Sequence, residues 1–229
     1  MPQVTAELRW FLDARNASEV DAFGRWFTSG RLPPGGGKKP REDVYALDLS
    51  TEELGVKTRE GKSGLEIKAL VDARLLSLAF GTREATAQLW SKVASNILTL
   101  PADARAKRTT RKTRWLRKFD TTAADVTEVK LGAGPFGEDP VQGSPPKWGC
   151  NVEWTLVEVP DADVKWWTCG FEAFAFEHVG PLCPLLEQGL RRALLAVISS
   201  LGQPPQLGEA WREQSYPAWI RSSTAGPQT

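Results

Sequence analysis

Leu54-Gly-Val-Lys-Thr-Arg-Glu-Gly-Lys-Ser-Gly-Leu-Glu-Ile-Lys-Ala-Leu70 is the stretch that decides the fold class. Leu54, Val56 and Thr58 alternate with Gly55, Lys57 and Arg59, and after a Gly61-Lys62-Ser63-Gly64 turn Leu65, Ile67 and Ala69 alternate with Glu66 and Lys68. Alternation on either side of a glycine-rich turn reads as a β-hairpin. Successive strand side chains point to opposite faces, so Lys57, Arg59, Glu66 and Lys68 share one face and the aliphatic residues the other. Alone, this is a half-buried hairpin with a solvated face. The N-terminus argues for more, because Thr5, Glu7 and Arg9 form a further charged row opposite Val4, Ala6, Leu8 and Trp10.

Outward from the hairpin, residues 3–12 read as strand one, with an apolar face that needs cover. Asn16 or Ser18 caps a short helix carrying Val20, Phe23 and Phe27 at helical spacing, which is one candidate cover. Residues 31–41, with Pro33, Pro34, three glycines, Lys38, Lys39 and Pro40, read as a flexible basic loop lacking the Gly-Lys-Ser/Thr ending of a phosphate loop. Val44–Asp48 is strand two, and residues 72–80 are a further strand or an irregular connection. Over 83–98 the spacing of Ala87, Trp90, Val93 and Ile97 predicts one face of a helix ending near Pro101.

The most basic stretch is 105–118, with Arg105, Lys107, Arg108, Arg111, Lys112, Arg114, Arg117 and Lys118. A strand near Thr113–Phe119 puts Lys112, Arg114 and Lys118 on one face; an exposed nucleic-acid patch is the rival reading. Val126–Leu131, Cys150–Val159 and Thr168–Phe176 are further strands, the second carrying Glu153 and Thr155 on one face and the third carrying Glu172. A Gly/Pro-rich loop runs up to Lys147. Leu185, Leu186, Leu190, Leu194, Val197, Ile198 and Leu201 mark an amphipathic helix over 182–201, stopped by Gly202 and Pro204. The expected organisation is one domain over 1–203, with an aromatic tail over 204–229 (Trp211, Tyr216, Pro217, Trp219) packing on it.

Lys and Arg number 29 against 28 Asp and Glu, which excludes a generally basic nucleic-acid coat and leaves local clustering as the source of any anion site. Cys150, Cys169 and Cys183 lack the close pairs of structural zinc sites and read as buried residues in a reducing compartment. Lone His178 reads as structural or surface. No signal-peptide pattern opens the chain, and no apolar run approaches the roughly 20 residues that span a bilayer. A cytoplasmic location without membrane attachment is the expectation.

These elements predict an α+β fold: a closed antiparallel β-barrel of about eight strands with amphipathic helices packed outside. With helices covering the Trp, Leu, Val and Ile faces, the barrel turns its charged faces inward around water. Such a lumen is costly to desolvate without a compensating ligand. Many Lys and Arg groups with fewer carboxylates suit a polyphosphate together with a divalent cation.

The order Thr5-x-Glu7-x-Arg9, Tyr45-x-x-Asp48, Lys57-x-Arg59, Glu66-x-Lys68, Lys112-x-Arg114, then Glu153 and Glu172, resembles the CYTH, or triphosphate tunnel metalloenzyme, superfamily, across nearly the whole chain. That family opens with a Glu-x-Glu-x-Lys strand whose acids help bind metal and whose Lys contacts phosphate. Here Thr5 replaces the first Glu and Arg9 the Lys, while Glu153 is followed by Thr155 and Glu172 by Phe174. The resemblance implies a tunnel in which Arg9, Arg41, Lys57, Arg59, Lys68, Lys112 and Arg114 bind phosphate. It implies Glu7, Glu153 and Glu172 as the catalytic acids, holding Mg²⁺ or Mn²⁺ together with Glu66. The expected substrate is inorganic triphosphate or a nucleoside triphosphate. The alternative is a catalytically degenerate module that binds a phosphorylated nucleotide or second messenger without cleavage; a cyclase and an RNA-binding protein are further rivals.

Overall fold

The chain opens with β1 (Gln3–Asp13), α1 (Ala17–Thr28), the two-residue β2 (Gly35–Gly36), β3 (Arg41–Ala46), β4 (Leu54–Arg59), β5 (Leu65–Phe80) and β6 (Arg83–Ser95). It continues through β7 (Lys107–Asp120), β8 (Thr127–Val129), β9 (Trp148–Val159), β10 (Val164–Ala175), α2 (Pro184–Ser200), β11 (Arg212–Glu213) and α3 (Tyr216–Ser222). The computed structural model describes residues 3–30, 32–37, 39–100, 106–132, 146–175 and 184–223. The positions singled out above at Lys38, Arg105, His178 and Cys183, most of the Gly/Pro-rich loop and the end of the tail lie outside the described residues.

Strands run antiparallel in the order β10-β9-β7-β3-β4-β5-β6-β1, and β1 pairs back onto β10, so eight strands close a barrel. β1 is the closing stave. Its first half pairs with β6 from Gln3↔Lys92 to Glu7↔Gln88, and Thr5 to Asp13 pair with β10. Beyond Glu7 the short β11 lies beside Trp10 and Phe11.

The barrel is apolar outside. Leu8, Trp10 and Leu12 of β1, Ala85, Ala87 and Leu89 of β6, and Phe171 and Ala173 of β10 belong to the same buried cluster as Phe23 and Phe27 of α1 and Leu186, Leu190, Leu194 and Val197 of α2. Each large aliphatic or aromatic side chain so covered is worth about 1.5–3 kcal/mol, and this outer layer offsets the cost of an ionic interior. None of the described helices is long and apolar enough to cross a membrane. Cys150 and Cys169 are buried, and burial pushes both thiols up, away from thiolate chemistry.

One end of the lumen is filled. Inward-facing Phe11, Tyr45, Val157 and Val159 form a second buried cluster with Trp219 and Ile220 of α3. The Trp219 ring stacks on Phe11 with centroids 4.8 Å apart and planes 4° apart. The Ser215 hydroxyl caps α3 by accepting the Ala218 amide (3.2 Å), and Arg221 donates to the carbonyls of Ser50 (2.7 Å) and Leu47 (3.3 Å), tying the helix to the loop after β3.

The helix expected over 83–98 is instead β6. Ala87, Trp90 and Val93 fit helical spacing, but Ala85, Ala87 and Leu89 face the outer core while Thr86, Gln88 and Trp90 turn to the other side, and Ile97 stays 91% exposed. Gly81, at φ 62°, turns the chain so that β6 pairs along β5, and ladder formation on both of its edges overrides the helical spacing. Residues 72–80 continue β5 past register shifts between Leu70 and Leu76. The basic loop is also pinned: Gly35 and Gly36 pair with Leu116 and Trp115, and Arg41 opens β3.

Candidate functional site

Above the α3 plug the inner faces of the barrel enclose a cavity of about 320 Å³. It is lined by Arg9, Arg41, Lys57, Arg59, Lys68, Lys112 and Arg114, and also by Glu7, Glu66, Glu153 and Glu172. Every phosphate-binding and acidic residue expected from the sequence therefore faces one space. Strand alternation does this: Glu7 and Arg9 share a face of β1, Lys57 and Arg59 of β4, Glu66 and Lys68 of β5, and Lys112 and Arg114 of β7.

The charges sort into groups. Asp43, fully buried, accepts from Lys57 Nζ at 2.8 Å and lies 3.2 Å from Lys112 Nζ and 3.4 Å from both Arg59 Nε and Arg41 Nε. Burial alone would raise its pKa, but Lys57, Lys112 and Arg41 outweigh this and hold the carboxyl well below the usual range. Glu66 sits 3.1 Å from Lys57, 3.2 Å from Arg59 and 3.6 Å from Lys92. On the opposite wall Glu153 accepts from Arg9 Nη2 at 2.7 Å and pairs with Arg114; these guanidiniums overcome burial and lower its pKa. Lys57 shows the cost of crowding, since burial, only partly offset by Asp43, lowers it to about 8. Burial lowers Lys112 as well, against the pull of Asp43.

Glu7 and Glu172 are cross-strand partners in the β1–β10 ladder. Glu7 is paired with Lys68 and accepts the Thr5 hydroxyl at 2.8 Å; Lys68 and Arg9 outweigh burial and lower its pKa. Glu172 has no ion pair among the described residues, and burial followed by the Glu7 charge raises its pKa. Its register partner Asn151 carries a buried Oδ1 without a hydrogen-bond partner, and Thr155 Oγ1 is buried and unpartnered likewise. Both residues line the cavity. The four glutamates do not converge, since among the described residues no three His, Cys, Asp or Glu side chains form a group that could hold a metal ion. What fits Mg²⁺ or Mn²⁺ is narrower: Glu7, Glu172 and the orphaned Asn151 oxygen are hard donors of the kind that hold magnesium through one or two carboxylates while substrate phosphates supply further oxygens.

The fold aligns with that of the S. pombe Pct1 RNA triphosphatase, with a TM-score of 0.47 at 11% identity over 90% of this chain and 86% of that one. The same enzyme in complex with the Spt5 CTD aligns with a TM-score of 0.46 at 11% identity, covering 90% and 87%. No family model matches the sequence, and no curated protein matches it.

Asp43 escaped the sequence reading, and so did the place of the tail residues Tyr216 and Pro217 at the cavity. Beginning strand two at Val44 left out Arg41-x-Asp43-x-Tyr45, whose alternation was the available signal; Asp48, two residues past β3, is exposed. Nothing local marks Tyr216 as a cavity residue, because α3 reaches the lumen through tertiary packing. The 105–118 cluster divides: Lys112 and Arg114 point inward, Arg117 is buried against Glu128 at 2.7 Å, and Lys107 and Arg111 are exposed.

Proposed function

We propose that the cavity binds the phosphate chain of inorganic triphosphate or a nucleoside triphosphate and, with Mg²⁺ or Mn²⁺, hydrolyses it. The observation that carries this reading is the imbalance of the lining: among the described residues nine Lys or Arg side chains face four Glu. In a walled space of low dielectric such an excess focuses a strong positive potential, and a polyanion is its natural complement.

Arg9 of β1, Lys112 and Arg114 of β7, and Lys57 and Arg59 of β4 grip phosphate oxygens from three strands of the cavity wall. Asp43 and Glu153 keep those cations oriented, so little ordering is left to be done on binding. The Thr155 hydroxyl adds a neutral donor. Glu7, Glu172 and Asn151 are the residues that would hold a divalent ion, which would supply charge neutralisation at the phosphoryl group and activation of a water. Hydrolysis adds water across a P–O–P bridge, forming one P–O bond and breaking another.

A second reading is binding without cleavage. It is supported by the pairing of Glu7, Glu66 and Glu153 within the protein and by Thr5 standing where an additional acid would complete the opening motif. Phosphate release from tripolyphosphate and from ATP, each with Mg²⁺ or Mn²⁺, tests the enzyme. Binding of both without release leaves the non-cleaving module, and no binding of either ends both readings.

A further inference from the structure

On the outside of the barrel, three tryptophans of β7, β9 and β10 meet α1. Trp115 follows Arg114 and Trp154 stands between Glu153 and Thr155, so strand alternation turns both indoles away from the cavity that their neighbours line. The rings stack in a row with Phe23 of α1. Centroids are 5.1 Å apart between Phe23 and Trp154, 4.6 Å between Trp154 and Trp167, and 5.7 Å between Trp167 and Trp115, with successive planes within 27° of each other. Between this row and Val20, Gly24 and Phe27 of α1 runs a groove of about 370 Å³. Stacking fixes its floor before anything binds.

Two observations point to a ligand. Trp154 is 5% exposed, yet its indole N–H has no acceptor among the described residues, and the same holds for Trp115 and Trp167. None of the three nitrogens is closed off from solvent. Gly24 keeps the Trp154 nitrogen open. It sits within α1 on ordinary helical backbone, where glycine weakens a helix relative to alanine. A Cβ there would meet Trp154 Nε1 at 3.7 Å, an ordinary contact, so packing within the protein does not require the glycine. The rim adds charge: Asp21 and Arg25, both exposed and one helical turn apart, make no ion pair among the described residues. The groove is thus apolar and rich in hydrogen-bond donors, with Asp21 the carboxylate of its lining.

We propose that this groove docks a proline-rich segment of a partner protein in the polyproline II conformation. Proline rings bring apolar surface and their carbonyls accept hydrogen bonds, while no prolyl N–H arrives to be buried against donors. That is the complement of three indole N–H groups set in an apolar wall. An acyl chain would leave the indoles unsatisfied, and an ordinary peptide would bring N–H groups of its own to a donor surface. The polyproline II conformation is preformed in the free segment, which lowers the ordering cost of docking. Asp21 on the rim matches a basic residue beside the prolines.

Titration of the isotope-labelled full chain with a capped octaproline peptide ending in lysine tests this through the indole N–H resonances of the ten tryptophans, assigned by single Trp→Phe substitutions. The Trp115, Trp154 and Trp167 signals are expected to shift together and saturate below about 1 mM, and a Leu-Ala peptide of equal length and charge to bind at least about tenfold more weakly, roughly 1.4 kcal/mol. Gly24→Leu fills the groove while favouring the helix, so it is expected to weaken octaproline binding at least about tenfold with a melting temperature at or above that of wild type. Loss of binding without loss of stability is a result that a merely structural glycine would not give. Absence of shifts up to about 1 mM, shifts confined to other indoles, equal binding of the two peptides, or undiminished binding by Gly24→Leu overturns the proposal. Indole shifts that follow protein concentration without peptide assign the groove to a second copy of the chain and overturn it likewise. Exchange of the lysine for glutamate is expected to weaken binding, and equal affinity overturns the part given to Asp21. If Gly24→Leu does not fold, the wild-type titration and its Leu-Ala control decide.

Discussion

Asp43 Oδ2 lies 2.8 Å from Lys57 Nζ in the interior of the barrel, and the same carboxylate serves Lys112, Arg59 and Arg41. Removing one partner of a buried charge cluster leaves the rest uncompensated, at a cost of about 3–5 kcal/mol. Asp43→Asn is expected to lose stability on that scale in urea unfolding at neutral pH. Because the folded pKa is depressed, this stabilisation is present above the ordinary Asp value near 3.9 and disappears as pH falls through the folded value. Wild type and variant should therefore converge in strong acid; a constant gap down to low pH would contradict the assignment.

Lys57 makes phosphate binding pH-dependent. With its pKa lowered to about 8 in the unliganded fold, it loses charge as pH rises through that value, and tripolyphosphate affinity should fall between about pH 7 and 9. Folding stability moves the other way, since between about 8 and the ordinary value near 10.4 the unfolded chain holds more protons at this group. Lys57→Arg keeps its charge across the window and should flatten the affinity profile. Parallel profiles for the two proteins would rule out Lys57 as the titrating group.

Glu172 is the test of the divalent ion. Its raised pKa marks a carboxylate held against its preference beside Glu7, so Glu172→Gln should have a melting temperature at or above that of wild type in the absence of metal. Addition of millimolar Mg²⁺ or Mn²⁺ with tripolyphosphate should raise the melting temperature of wild type beyond the effect of tripolyphosphate alone, and this increment should vanish in the variant. An unchanged increment would place the ion elsewhere.

Gly37 has a structural role only glycine fills. At φ +73° its Cβ would stand 2.0 Å from Trp115 Nε1. Gly37→Ala should cost about 1–3 kcal/mol through left-handed strain and displacement of the indole, read by urea denaturation and tryptophan fluorescence.

How much of this was legible depends on the range of the interactions. The β4–β5 hairpin could be read because its alternation and its glycine turn are local, and the inward sense of Lys57, Arg59, Glu66 and Lys68 followed from the outward greasiness of β1. β6 is hidden because Ala87, Trp90 and Val93 stand at helical spacing although the strand sends Trp90 to the face opposite Ala87, and only long-range pairing with β5 and β1 makes it a strand. Asp43 was lost to a strand boundary set three residues late relative to Arg41. Tyr216 and Trp219 showed as aromatic, but their place in the lumen depends on the Ser215 cap and on Arg221 reaching the loop after β3.

The closing ladder between Thr5–Asp13 and Trp166–Phe174 joins residues about 160 positions apart in the chain. During synthesis the first strand therefore leaves the ribosome long before its permanent neighbour exists, with the Leu8, Trp10 and Leu12 side uncovered until α2 follows. Such wide sequence separation slows folding. Nascent chains halted before residue 164 should remain open and chaperone-bound, and the protease-resistant state should emerge only once the tenth strand and the helix after it have been made.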